Sequence, residues 1–392
     1  MKLLVLKLGV SRAFSALVAF AGVAVIARTH PLDVVGEINA SLALIQVAAL
    51  CLGFGLNTAI VYFSKSDIAI TRWLTMHACM LTVGLTIPAV ALASMFSATY
   101  ALLAACSGLV AILTHVAGFL QSNQDFDKQA VLIVMQPCAI PLANQMGLLV
   151  SNEVLWFFLA YATVNLALAS AFLVLVVRPW LISEPRPGYP GKTFYAYGLA
   201  ALGHNGVNAV WYSADVLLVR YGLSSDFLGI YSVAASVAKS SWLVVDSVGL
   251  IIFPRKIAGT LSRSQYGRVQ MLCLVYGFGV IGAWIWLGDA FLELVFGRQY
   301  MGAFPMVLTL LAGSLAVGVY KLQSRLFAAT GGWRILSMAQ LCGLSTSLGA
   351  AAVLVGSNGG IGVALGQSLG FLVCAAGLCG LGYRSRFRLW ER

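Results

Sequence analysis

The stretch VIARTHPLDVVGEINASLAL, residues 25 to 44, is echoed by LLVRYGLSSDFLGIYSVAAS, residues 217 to 236. In each, an Arg ends one apolar run (Arg28, Arg220), a short turn carries an Asp (Asp33, Asp226), and a Gly (Gly36, Gly229) opens the next run. A weaker echo links GFLQSNQDFDKQAVLIVMQ, residues 118 to 136, to LFAATGGWRILSMAQ, residues 326 to 340. Six apolar runs separate the copies. An even number of crossings returns the chain to the same side of a membrane, so the copies predict parallel repeats about an axis normal to the bilayer. The expected fold is an all-α integral membrane protein of about twelve helices. Two six-helix lobes related by a parallel pseudo-two-fold would face each other across a central cationic cavity.

Composition agrees with a bilayer setting. The chain is 60% hydrophobic and 9% charged, with a mean hydropathy of +0.91, which exceeds what a water-soluble core requires. Apolar runs of the length needed to cross a bilayer fall at 3–27, 38–63, 73–96, 98–120, 129–150, 154–177, 194–219, 227–253, 269–296, 303–327, 333–356 and 360–383. Residues 1–177 form the expected N-terminal six-helix lobe and 194–392 the C-terminal one with a short basic tail. The proline-rich RPWLISEPRPGYPGKT, 178–193, is the expected cytoplasmic linker between them. The first run lacks a small-x-small cleavage site and reads as an uncleaved span.

The formal charge of +11 is spread through short loops. It therefore predicts orientation, not nucleic-acid binding. With both termini in the cytoplasm, most Lys and Arg residues fall inside, and the outer side keeps Arg28, Arg220 and Arg298, as the positive-inside rule requires. All eight cysteines lie in apolar runs without a CxxC pair, and the four histidines stand apart, so neither a disulfide framework nor a metal site is indicated. No cofactor is expected. GFGVIG at 277–282 lies inside a span with no preceding strand, and PGYPGKT at 187–193 has too short a glycine spacing for a phosphate loop.

The informative residues are charges inside the spans. A cation at the bilayer centre costs at least ~2.5 kcal/mol, and Lys7, Arg12, Lys239, Lys321 and Arg325 all fall within apolar runs. SLAVGVYKLQSR, 314–325, places Lys321 and Arg325 one turn apart on one helix face. Like charges at that spacing repel, so the pair serves an anion better than it serves packing. YSVAASVAKSSWLVVDSV, 231–248, aligns Lys239 and Asp246 two turns apart, about 10 Å, too far to pair with each other. GHNGVNAVWYSADVLL, 203–218, carries Asn205, Asn208, Trp211, Tyr212 and Asp215. VMQPCAIPLANQ, 134–145, carries Gln136, Asn144 and Gln145 around Pro137 and Pro141. Five cations against two carboxylates predict an anionic, partly polar ligand. Lys7, Arg12, Lys239, Lys321 and Arg325 are the candidate ligands of such an anion, which a diphosphate bearing sugars would be. Gln136, Asn144, Gln145, Asn205, Asn208, Trp211 and Tyr212 would form a sugar path, and Asp215 and Asp246 would balance charge or hold a coupling ion. For Asp215, pairing with a cation of span one or eight is the simpler reading.

IARTHPLDVVGEI (26–38), LVRYGLSSDFLGIYSVAASV (218–237), IIFPRKIA (251–258) and FGRQYMGAFPMVLTLLAGS (296–314), in that order, resemble the polysaccharide-transporter branch of the multidrug/oligosaccharidyl-lipid/polysaccharide (MOP) flippase superfamily. The resemblance implies a non-enzymatic flippase that moves an undecaprenyl-diphosphate-linked O-antigen or exopolysaccharide unit from the cytoplasmic to the outer leaflet by alternating access. Its partners would be the polyprenyl-linked glycan, the bilayer and other polysaccharide-assembly membrane proteins. Outward movement of negative charge is favoured by ~2.3 kcal/mol per charge per 100 mV, so a missing ATP motif is no obstacle. Two alternatives share the superfamily, a peptidoglycan-precursor flippase and a cation-coupled multidrug exporter. The exporter would need an acidic cavity. A glycan polymerase or ligase would need a large outer loop, which no connection here supplies.

Overall fold

The computed structural model describes residues 2–64, 68–123, 125–151, 153–180, 191–257, 259–329 and 332–384. The side chain of Lys7, linker residues 181–190 and the basic tail 385–392 lie outside the described residues. The described chain is helical, with no strand. In order the helices are α1 (Lys2–Thr29), α2 (Leu32–Leu52), α3 (Leu56–Phe63), α4 (Ile68–Ser94), α5 (Ala98–Ser122), α6 (Phe126–Leu148) and α7 (Val154–Trp180). They continue with α8 (Gly191–Gly222), α9 (Ser225–Ser240), α10 (Trp242–Ile257), α11 (Arg263–Val295), α12 (Phe304–Ala329) and α13 (Trp333–Arg384).

Ten stretches among the described residues are long and apolar enough to cross a membrane. The last of them, Arg334–Gly380, contains two crossings, because the backbone leaves helical geometry at Gly359 with φ 52° and ψ −133°. That conformation is open to glycine and strained for other residues. The remaining crossing is α8, whose mean hydropathy is pulled down by His204, Asn205, Asn208 and Asp215. The described residues thus hold about twelve candidate crossings, those of a multi-pass membrane protein.

Two of the twelve expected spans are broken. Span two ends its first helix at Leu52 and restarts at Leu56, with Phe54 and Gly55 at φ 51° and 64°. The Leu56 N–H turns to Gly53 O, so the Leu52 carbonyl loses its helical donor. The Thr82 hydroxyl of α4 lies 3.4 Å from that carbonyl and 2.9 Å from His115 Nε2 of α5. A buried polar pair thereby satisfies a carbonyl that the break exposes. Span eight breaks at Ser241, where Ser240 and Ser241 each donate a hydroxyl to the carbonyl three residues back, Val237 and Ala238, at 2.6 Å. Such back-bonding competes with the helical ladder and bends it. By contrast α6 stays continuous through Pro137 and Pro141.

By packing, the chain forms two compact units. One comprises Met1–Ala16, Val23–Ala40 and Trp211–Arg392, the other Leu17–Gly22 and Ser41–Val210. This division cuts α1, α2 and α8 internally, whereas the expected boundary at 178–193 follows the connectivity of the chain. The first turns of α2 belong with α9 because the two echoing segments meet there. A Cβ on Gly36 would stand 2.7 Å from Gly229 N, and Asn39 Nδ2 donates to Ser232 Oγ at 3.1 Å. Gly36 and Gly229 occupy equivalent places in the two copies, as do Asn39 and Ser232. Trp211 belongs to the first unit because its indole packs within the core formed with Tyr320, Phe327 and Phe371. The second unit is built on Leu113, Val116, Phe119 and Phe172, with a further cluster around Leu56, Leu74 and Phe194.

The glycine contact gives a first expected result. Gly36→Val should destabilise by roughly 1–3 kcal/mol through overpacking, whereas Gly84→Ala, in α4 with open space around it, should be neutral or gain up to ~1 kcal/mol of helix propensity. Thermal unfolding of the two purified variants in detergent checks the contrast. Equal midpoints would remove the α2–α9 contact from the account of stability.

Candidate substrate site

The charged interior of the first unit is assembled by α1, α8, α9, α10 and α12. Lys239 stands in the last turn of α9, where unpaired carbonyls favour a cation. Its ammonium lies 2.9 Å from the Asp215 carboxylate and donates to Tyr212 O at 2.7 Å. Asp215 is fully buried and takes two more bonds, from Val216 N at 2.8 Å and from the Tyr231 hydroxyl at 3.4 Å. Lys321 of α12 pairs with Asp246 of α10 at 2.6 Å. Its ammonium also sits 5.3 Å from the Tyr212 ring centroid and 5.1 Å from that of Trp242, within the range of cation–π attraction. Tyr212 therefore joins the two ion pairs, through its carbonyl to one lysine and its ring to the other.

The arginines are placed differently. Arg325, one turn beyond Lys321, packs its side chain on Gly249, where an added Cβ would stand 3.4 Å from the guanidinium Nε. Gly249 lies one turn beyond Asp246, so α10 and α12 present their groups in matched steps. Arg12 of α1 is within electrostatic reach of both Asp246 and Arg325. Among the described residues neither arginine has a carboxylate at ion-pair distance. The cluster thus carries four cations against two carboxylates, with the excess on the two guanidiniums. Buried charge of one sign without compensation is costly, and an anion that can span both forks relieves that cost.

Several expected site residues are placed elsewhere. Trp211 cannot line a sugar path, because it is fully buried, with Nε1 bonded to Ser347 Oγ at 2.8 Å and its ring against Phe371. Tyr212 serves the two lysines. Gln136, Asn144, Gln145, Asn205 and Asn208 belong to the second unit. There Gln145 is exposed, Asn144 is buried, and Asn205 donates to Thr58 Oγ1 at 3.5 Å. Arg28 and Arg220, at the ends of α1 and α8, have structural work. Arg28 donates to the carbonyls of Glu293, Leu294 and Val295 at the end of α11, and Arg220 pairs with Glu37.

Trp242 and Tyr231 were missed as site residues. Trp242 lies three residues after Lys239 and four before Asp246, in the stripe that carries both charges, and an aromatic at that spacing was the available signal. Nothing in the sequence marks Tyr231 as the partner of Asp215.

No family model matches the chain. Its fold is that of solved multidrug resistance MATE family transporters of the MOP superfamily. An inward-facing structure superposes with a TM-score of 0.72 at 15% identity, covering 95% of this chain and 96% of the other. An outward-facing structure gives 0.68 at 14%, covering 97% and 95%. The eukaryotic MATE transporter AtDTX14 gives 0.69 at 14%, covering 98% and 94%. Among curated proteins, the teichuronic acid biosynthesis protein TuaB of Bacillus subtilis (strain 168) is 25% identical over 121 residues, which is 30% of this chain and 25% of that one. The chain therefore has the fold of these solved transporters, and the curated relative it matches is aligned over about a quarter of its own length.

Proposed function

We propose that this chain moves a polyprenyl-diphosphate-linked oligosaccharide from the cytoplasmic to the outer leaflet of a bacterial inner membrane, for surface polysaccharide synthesis. The observation that carries this reading is the excess positive charge of the cluster, held by Arg12 and Arg325. Paired guanidinium forks match the oxygens of a diphosphate, and the same charge repels cationic drugs. In this mechanism the arginines grip the diphosphate, Lys321 joins them, and Lys239 with Asp215 holds α8 against α9. The polyprenyl tail stays in the bilayer in this reading. Similarity to a protein of teichuronic acid biosynthesis supports a glycan substrate, and the distribution of basic loops supports cytoplasmic termini.

Deletion of the coding sequence tests the reading. The expected result is loss of one surface glycan, accumulation of its lipid-linked unit facing the cytoplasm, and unchanged sensitivity to cationic drugs. Increased drug sensitivity with normal surface glycans would favour a multidrug exporter instead. Arrested cell-wall synthesis would favour the peptidoglycan precursor.

A further inference from the structure

We infer that the Asp246 carboxylate is a built-in substitute for the substrate anion, bound to Lys321 when the site is empty and displaced when the diphosphate arrives. The inference rests on the diphosphate reading above and adds a residue that sets affinity and release. One cation contacts this carboxylate and two more lie in its neighbourhood. Lys321 touches it, Arg12 is electrostatically coupled to it, and Arg325 packs one helical turn away on Gly249.

The order of exposure places the carboxylate in front. The Asp246 side chain is 34% exposed and that of Lys321 is 13% exposed, so an anion approaching Lys321 meets Asp246 first. Behind the ammonium stand the Tyr212 and Trp242 rings, and Trp242 is fixed by its bond to Ser314 Oγ at 2.8 Å. These rings stabilise the cation whichever anion it faces. Lys321 can therefore change partners without being stranded. Asp246 and a diphosphate cannot share the site without like-charge repulsion, so binding requires the carboxylate to leave. Its return to Lys321 then helps expel the product. The Asp246 side chain, 34% exposed, already reaches the surface of the site, so its release from Lys321 leaves it accessible.

A purely structural ion pair predicts the opposite response to mutation. If Asp246 only positions Lys321, then Asp246→Asn weakens ligand binding or leaves it unchanged. If it competes, the variant binds more tightly and exports more slowly. The test is calorimetric titration of the purified full chain in detergent with farnesyl diphosphate. Asp246→Asn should lower Kd about tenfold and reduce export, and Lys321→Gln should raise Kd. A wild-type measurement covers the case in which Asp246→Asn fails to fold. Modification of Asp246 by excess dicyclohexylcarbodiimide, read by mass spectrometry, should increase when farnesyl diphosphate is added, since the carboxylate has been released. Unchanged or reduced modification, or a Kd in folded Asp246→Asn equal to or weaker than wild type, overturns the inference alone. Absence of binding by wild type that unfolds cooperatively overturns the diphosphate reading and this inference with it.

Discussion

Arg12→Ala should abolish glycan export while the protein remains inserted at the wild-type level. Arg12 has no carboxylate at ion-pair distance among the described residues, and its removal leaves Asp246 still paired with Lys321, so no counter-charge is stranded. Folding is therefore preserved, and the loss falls on the ligand. A charge-assisted hydrogen bond contributes roughly 1.5–3 kcal/mol, which corresponds to a ten- to hundredfold weaker grip on the diphosphate. Arg12→Lys should recover part of the export, since charge survives and the planar fork does not. Surface glycan measured at matched membrane abundance separates the three proteins. Arg325→Ala should behave like Arg12→Ala, because both arginines hold the excess charge. Lys321→Ala is a less clean probe, as it leaves Asp246 without its cation. Wild-type export by Arg12→Ala cells would show that the guanidinium is a structural cation and would remove the strongest support for an anionic substrate.

The spans were legible because the bilayer sets a fixed length for apolar runs. Even α8 was found despite its amides, since the runs on either side fixed its place. What hydropathy cannot register is a backbone angle. Residues 53–55 read Gly-Phe-Gly inside an apolar run, and nothing in their polarity announces the left-handed turn that ends α2. The charged residues were legible for the same reason as the spans, because a Lys or Asp in an apolar run is conspicuous. Their partners were legible only in part: a cation of span one or eight is the expected partner of Asp215, and Lys239 of span eight is that partner, whereas nothing in the spacing assigns Lys321 to Asp246. Helical spacing orders Lys239 and Asp246 along one stripe and shows that they cannot meet. Their actual partners, Asp215 and Lys321, come from α8 and α12, and the choice depends on how the helices pack. The two tryptophans show the same limit. Trp211 and Trp242 both lie beside polar stripes and pack in the same core cluster, yet Trp242 also faces the Lys321 ammonium. The echo between 25–44 and 217–236 reached further, because an internal repeat carries tertiary information. Its glycines meet at Gly36 and Gly229.

Lys239→Ala should destabilise the protein more than Asp215→Ala, although both break the same ion pair. Removing one member of a buried pair costs roughly 3–5 kcal/mol, mainly because the other charge is left uncompensated. The two survivors are not equivalent. In Lys239→Ala the Asp215 carboxylate is fully buried and keeps only the Val216 N–H and the Tyr231 hydroxyl. In Asp215→Ala the ammonium, with 22% of its side chain exposed, still donates to Tyr212 O and can extend its stem toward water. Lys239→Met with Asp215→Leu should recover most of the loss, since replacing both charges of a buried pair by apolar groups is often neutral. Asp215→Asn should cost least among the single variants, because the amide keeps bonds to Tyr231 and to the Lys239 ammonium. Thermal unfolding in detergent ranks the four proteins, and surface glycan at matched abundance gives the second readout. Asp215→Asn should retain most of the export that Arg12→Ala loses, as Asp215 balances charge behind the site. Complete loss of export in well-folded Asp215→Asn, together with loss of dependence on a sodium or proton gradient, would instead make this carboxylate the coupling-ion site.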